Sequence, residues 1–173
     1  MKWKDKLIKD VLESIRKSNR KLVVIENLLL DNNVNVHLAV FNEPFLSLMF
    51  SGEKTVESRF SINNVAPYRS VFFNDLVLLK KSGGPIVGAF NVKDVKYYSN
   101  LNSKKISKLE SEYGEKIGWN REPDFLDNKS TANYLTLITV NKVFRLSPIV
   151  TEKADRTGWS IVRKGFINTL FEN

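Results

Sequence analysis

Residues 75–98 limit the fold more than any other stretch. Residues 75–81 and 86–98 both read as strands, and the tetrapeptide Ser82-Gly83-Gly84-Pro85 between them holds the residue types that reverse a chain. The two runs are predicted to pair as a hairpin. Further strands are predicted at residues 35–41, 55–60 and 134–144, with a last one between 155 and 171 around Trp159. Single helices interrupt them. Pro44 suits the first turn of one, in which Phe45, Leu48 and Met49 share a face and Gly52 closes the end. Another is predicted over residues 103–113, with Ser103 as a possible cap and Gly114 as its terminator. Strands alternating with single helices point to an α+β domain whose mixed or antiparallel sheet curls into a barrel with flanking helices.

Ahead of this pattern, Trp3, Leu7, Val11, Leu12 and Ile15 recur at helical spacing and give one apolar stripe. Up to residue 21 the segment carries eight basic residues (Lys2, Lys4, Lys6, Lys9, Arg16, Lys17, Arg20, Lys21) against Asp5, Asp10 and Glu13. Such a helix either shows a solvated face or docks on a polyanion. After a short apolar run at residues 22–25, Asp31, Asn32 and Asn33 mark a turn. Residues 1–35 are therefore set apart as a helical extension, and 36–173 as the barrel domain. Within the latter, residues 61–74 form a loop with Tyr68 and Arg69, and residues 115–133 form a lid or binding loop with Trp119 and Phe125.

Chemistry is narrowed by what the chain lacks. With no cysteine and a single histidine, His37, disulfides, thiolate catalysis and multi-histidine metal sites are excluded, so no metal or cofactor is expected. His37 alternates with apolar neighbours, where a packed side chain is commoner than a catalyst. Lys and Arg number 27 against 19 Asp and Glu; the net +8 attracts polyanions. No run reaches the roughly 20 apolar residues of a membrane span, which suggests a cytoplasmic protein, with a monomer favoured.

The segment from Ser51 to Arg59 concentrates ionisable groups at a helix-to-strand junction. Residues two apart on a strand face the same side, so Glu57 and Arg59 project together, while Lys54, in the turn beside Gly52, can swing toward them. Arg59 would offer a planar fork for phosphate or a base edge, Lys54 a point charge, and Glu57 an acceptor. Lys54 and Glu57 are also the candidates for acid–base work if burial shifts one of them. Against this stands a plain structural salt-bridge network.

The pattern Gly-x-Lys-x-x-Glu-x-Arg, present as Gly52, Lys54, Glu57 and Arg59, resembles the signature of the ASCH domain family, whose fold is similar to the PUA domain. The order of elements agrees over about residues 36–162. The resemblance implies a β-barrel with flanking helices and a cleft near the motif that receives RNA or a nucleotide-like ligand. Some members are amidohydrolases of acylated cytosine compounds and others are described as ribonucleases. The hydrolase type has a threonine where this chain has Glu57, and Thr55 is not at the equivalent place.

Weaker candidates accompany the motif. Lys80, Lys81, Ser82, Gly83 and Gly84 join two charges to a turn whose amides could hold a phosphate. Phe41, Phe45, Tyr68, Tyr134 and Trp159 could stack on a base, and Asp155 and Arg156 could shape the rim. The ligand set expected from sequence is Lys54, Glu57, Arg59, Lys80, Lys81, Ser82, Gly83, Tyr68, Arg69 and Phe45. The leading expectation is an RNA- or nucleotide-binding module. A small metal-independent hydrolase of modified nucleosides or RNA, and a protein-interaction domain, are the alternatives.

Overall fold

Apolar spacing drives the first helix, α1 (Trp3–Lys17), whose Leu7, Val11 and Ile15 are buried while its charges face out. Each such burial contributes roughly 1.5–3 kcal/mol relative to exposure. The computed structural model describes residues 3–18, 22–122, 124–153 and 156–166. The chain divides into two units: Met1–Asn42 with Asn74–Asn91 and Lys142–Asn173, and Glu43–Phe73 with Val92–Asn141.

In the first unit α1 is followed by α2 (Val23–Leu30) and β1 (Val36–Phe41). The short apolar run read at residues 22–25 belongs to that second helix. Its β-branched start obscures a helical stripe of Ile25, Leu28 and Leu29, which is what the core takes up. Asp31 then turns the chain, its side chain accepting from the Asn33 amide at 2.8 Å. β3 (Leu76–Lys81) and the start of β4 (Ile86–Ser99) form the predicted hairpin, pairing antiparallel with a shift between Leu79 and Lys80. β1 lies parallel to β3 and antiparallel to β6 (Trp159–Arg163). The core of this unit joins Leu7, Val11 and Ile15 to Ile25 and Leu29 of α2, to Val36 and Leu38 of β1, and to Leu76 and Leu78 of β3.

The second unit holds α3 (Phe45–Ser51), β2 (Val56–Ser61), the end of β4, α4 (Ser103–Ile117) with its following turns, and the start of β5 (Tyr134–Ile149). Gly52, with φ +83°, ends α3 in the left-handed conformation glycine tolerates best. α4 spans Ser103–Ile117, past the expected stop at Gly114. The stripe Leu109, Tyr113 and Ile117 continues through that glycine into the core. Burying Ile117 outweighs the roughly 1 kcal/mol a mid-helix glycine costs. The cap is Asn102, which accepts from the Lys105 amide at 2.9 Å, rather than Ser103. Gly118, φ +79°, is the terminator.

The strands follow the order β2-β5-β4-β3-β1-β6, a mixed six-stranded sheet whose outer strands are β2 and β6. This is the α+β architecture with flanking helices that the sequence predicted. β5 runs on to Ile149 and β6 is confined to Trp159–Arg163. No helix of the described residues is long and apolar enough to cross a membrane.

Candidate functional site

The motif is held by backbone before side chains matter. The Lys54 amide donates to the Leu48 carbonyl at 3.0 Å and the Thr55 amide to the Lys116 carbonyl at 2.9 Å, tying the junction to α3 and to the end of α4. Lys54 Nζ donates to the Ile117 carbonyl at 2.8 Å and lies 3.2 Å from Glu57 Oε2. Ile117 closes α4, so its carbonyl sits at the negative end of the helix dipole. Glu57 Oε1 lies 2.6 Å from Arg59 Nε. The three charges therefore meet, with one carboxylate between two cations.

They do not meet solvent equally. Lys54 is only 3 % exposed, whereas the Arg59 side chain retains 19 %. Burial lowers the Lys54 pKa below its ordinary 10.5; the Glu57 carboxylate opposes the shift and Arg59 adds to it. Beneath the ammonium, at 5.2 Å, is the ring of Phe45, which meets Phe125 edge-on. Phe45 thus belongs to the aromatic floor under Lys54. Among the described residues two acceptors meet the ammonium, which carries three protons.

The antiparallel register adds a residue that sequence reasoning missed. Glu57 pairs with Ile138, Arg59 with Thr136 and Ser61 with Tyr134, so these six share one face of the β2–β5 pair. Thr136 is 1 % exposed, and its Oγ1 has no hydrogen-bond partner among the described residues. An orphaned buried hydroxyl costs about 1–3 kcal/mol, which makes Thr136 a candidate to bond a water or a ligand group. Cross-strand register was the missing signal; the sequence alone shows only a threonine in an apolar strand.

Tyr68 is buried against Tyr134 at 4.8 Å and Tyr97 at 5.5 Å, which anchors the loop after β2 beside this face. Arg69 is exposed, its guanidinium 5.6 Å from the Tyr68 ring centre. Tyr68 is therefore a support, and Arg69 is the group of that pair that reaches solvent.

The remaining candidates lie in the other unit. In the hairpin turn, the Ser82 amide donates to the Phe41 carbonyl, the Lys81 amide to Pro85 and the Gly84 amide to Lys81, each at 2.9 Å. Lys80 Nζ turns back to the Lys81 carbonyl at 3.3 Å. Gly83, φ +66°, makes the turn itself. Most of the amides that would cradle a phosphate are thus occupied. Phe41 and Trp159 are buried. Trp159 Nε1 donates to His37 Nδ1 at 3.2 Å, and His37 Nε2 lies 3.0 Å from Asp75 Oδ2, so this histidine is a packed one. Arg156 is exposed, and Asp155 lies outside the described residues.

Charge is distributed unevenly. The unit carrying the motif has 11 basic and 10 acidic residues, the other 16 and 9. On α1 much of the surplus is paired: Lys6 with Asp10 at 2.9 Å, Arg16 with Glu26 at 2.7 Å, Lys17 with Glu13 at 3.8 Å. Lys2, Arg20 and Lys21 lie outside the described residues. The expected lid of residues 115–133 holds single 3-10 turns at Trp119–Arg121 and Asp127–Lys129. Trp119 and Phe125 line a groove of about 410 Å³ edged by Glu115, Glu122, Asp124 and Asp127. Its carboxylates repel a polyanion, which favours the Arg59 face for one.

A mixed-sheet α+β domain with a buried Lys-Glu-Arg junction behind a glycine-closed helix defines the class of protein. The ASCH domain profile matches residues 40–144, and the chain belongs to the ASCH domain family. The fold agrees with the crystal structure of an ASCH protein from Zymomonas mobilis, 17% identical, covering 78% of this chain and 90% of that one with a TM-score of 0.56. A serine-to-alanine variant of that protein matches at 16% identity, 80% and 95% coverage and a TM-score of 0.57. No curated protein sequence matches the chain.

Proposed function

We propose that this chain is an RNA- or nucleotide-binding module whose ligand contacts Arg59, Lys54 and Thr136 on the β2–β5 face. The carrying observation is that two cations share one carboxylate at a largely buried junction. Two cations and one carboxylate give the trio itself a net positive charge, which attracts an anionic ligand. Arg59 reaches solvent and receives the anion first, Lys54 supplies its remaining proton from below, and Thr136 contributes a hydroxyl that has no partner among the described residues.

Arg59→Ala is expected to weaken binding of mixed single-stranded RNA at low salt by roughly 10- to 100-fold, as the loss of about 1.5–3 kcal/mol for a charged hydrogen bond requires. A filter-binding titration measures this, and equal affinity for both proteins would sink the reading. The wild-type affinity should also fall steeply with added salt.

Burial of Lys54 beside Glu57 favours one second reading, hydrolysis of a modified nucleoside or of RNA. A lysine whose proton is loosened is suited to proton transfer. The two readings share a pH signature. Lys54 should lose its charge at a pH below 10.5, so anion binding weakens as pH rises through that point, and Lys54→Arg flattens the decline. Affinity measured from neutral pH to pH 10 checks this. Turnover of acylated nucleosides that disappears in Lys54→Ala would promote the hydrolase.

A further inference from the structure

We infer that Phe73, at the end of the loop joining β2 to β3, is the stacking surface for an unpaired base of single-stranded RNA. The inference rests on the function proposed above and names the form of RNA the site takes. Phe73 is 76 % exposed, more than any other aromatic among the described residues, and Ile62, Val65 and Phe72 of the same loop are exposed with it. Apolar surface gathered in one short loop marks a contact site more often than chance.

The loop is held rather than loose. Val65 donates its amide to the Asn63 carbonyl at 2.9 Å, Tyr68 to Val65 and Ser70 to Pro67 at 3.0 Å each, and the Tyr97 hydroxyl donates to the Val71 carbonyl. A ring displayed on fixed backbone loses little entropy when a base lies on it. Tyr68 anchors the same loop by packing on Tyr134, the cross-strand partner of Ser61 on the face that carries Arg59. The loop therefore borders the face of the proposed site within a single unit.

Charge selects nucleic acid over an apolar protein partner. Residues 61–73 contain no acidic residue, Arg59 precedes them, and Arg69 stands exposed over Tyr68. A strand whose phosphates pass Arg59 and Arg69 can lay a base on Phe73, in the arrangement of aromatic and cation that single-strand binders use. Duplex RNA keeps its bases stacked inside and offers Phe73 nothing.

The test is an anisotropy titration with a labelled single-stranded oligouridylate and, separately, a duplex RNA of the same length. Phe73→Ala is expected to weaken single-strand binding roughly 5- to 150-fold and duplex binding little, with the thermal midpoint unchanged because the ring is exposed. Phe73→Trp should bind at least as tightly, with its added fluorescence quenched by the RNA. Wild-type affinity in Phe73→Ala alongside a loss in Arg59→Ala overturns the stacking role and leaves the proposed function standing. Equal weakening for both RNAs also overturns it, as does a self-association of the wild type that Phe73→Ala abolishes. Absence of wild-type binding overturns the proposed function itself.

Discussion

Glu57→Ala is expected to lower the free energy of unfolding by about 3–5 kcal/mol, read as a shift of the urea midpoint. The carboxylate is the only anion within the trio, and removing it leaves Lys54 at 3 % exposure with a carbonyl but no counter-charge. Replacing both members of the Lys54–Glu57 pair, as Lys54→Met with Glu57→Leu, should recover much of that loss, because the penalty belongs to the orphaned charge rather than to the missing pair. A double variant as unstable as Glu57→Ala would show that packing, not charge, dominates.

The same site sets a pH dependence with a definite sign. Folding lowers the Lys54 pKa, so between that value and 10.5 the unfolded chain binds the proton and the folded chain does not. The unfolded state then carries more protons, and stability rises with pH across the window. Glu57→Ala removes the group that opposes the shift, so its destabilisation should shrink as pH is raised toward 10.5, where the unfolded lysine also becomes neutral.

Asp75→Ala should cost about as much, roughly 3–6 kcal/mol, since it strips acceptors from several buried donors at roughly 1–3 kcal/mol each. Asp75 Oδ1 accepts from the Asn35 amide at 3.2 Å, and Oδ2 accepts from Asn35 Nδ2 and lies against His37 Nε2, both at 3.0 Å. The tautomer follows from the third partner. An indole N–H only donates, so His37 Nδ1 is the acceptor from Trp159 and Nε2 carries the hydrogen toward Asp75. Domains are stable by only about 5–15 kcal/mol, so Asp75→Asn, with a smaller expected loss of about 2 kcal/mol, provides the readable variant. Denaturant titration of both variants measures this; an Asp75→Asn protein as stable as wild type would mean the network contributes little.

Local patterns were legible where one element decided its own ends. The hairpin around Gly83, the stop of α3 at Gly52 and the stripe of α1 follow from turn chemistry and periodicity. Reading failed where burial overruled propensity. Residues 22–25 read only as a short apolar run because Val23 and Val24 mask the stripe of Ile25, Leu28 and Leu29 that the core takes up as a helix. Gly114 looks like a stop, but Ile117 packs only if the helix passes it.

The site divides in the same way. That Glu57 and Arg59 share a side follows from the two-residue period of a strand, and Lys54 joins them within a few residues of chain, so the sequence by itself determined the trio. Long-range register lay beyond it. Only the tertiary structure decided that Thr136, 77 residues beyond Arg59 in the chain, pairs with it, that the end of α4 receives Lys54, and that Phe73 rather than Tyr68 faces solvent. The physical reason is that local spacing fixes which way a side chain points, while its burial depends on which distant strand or helix arrives opposite it.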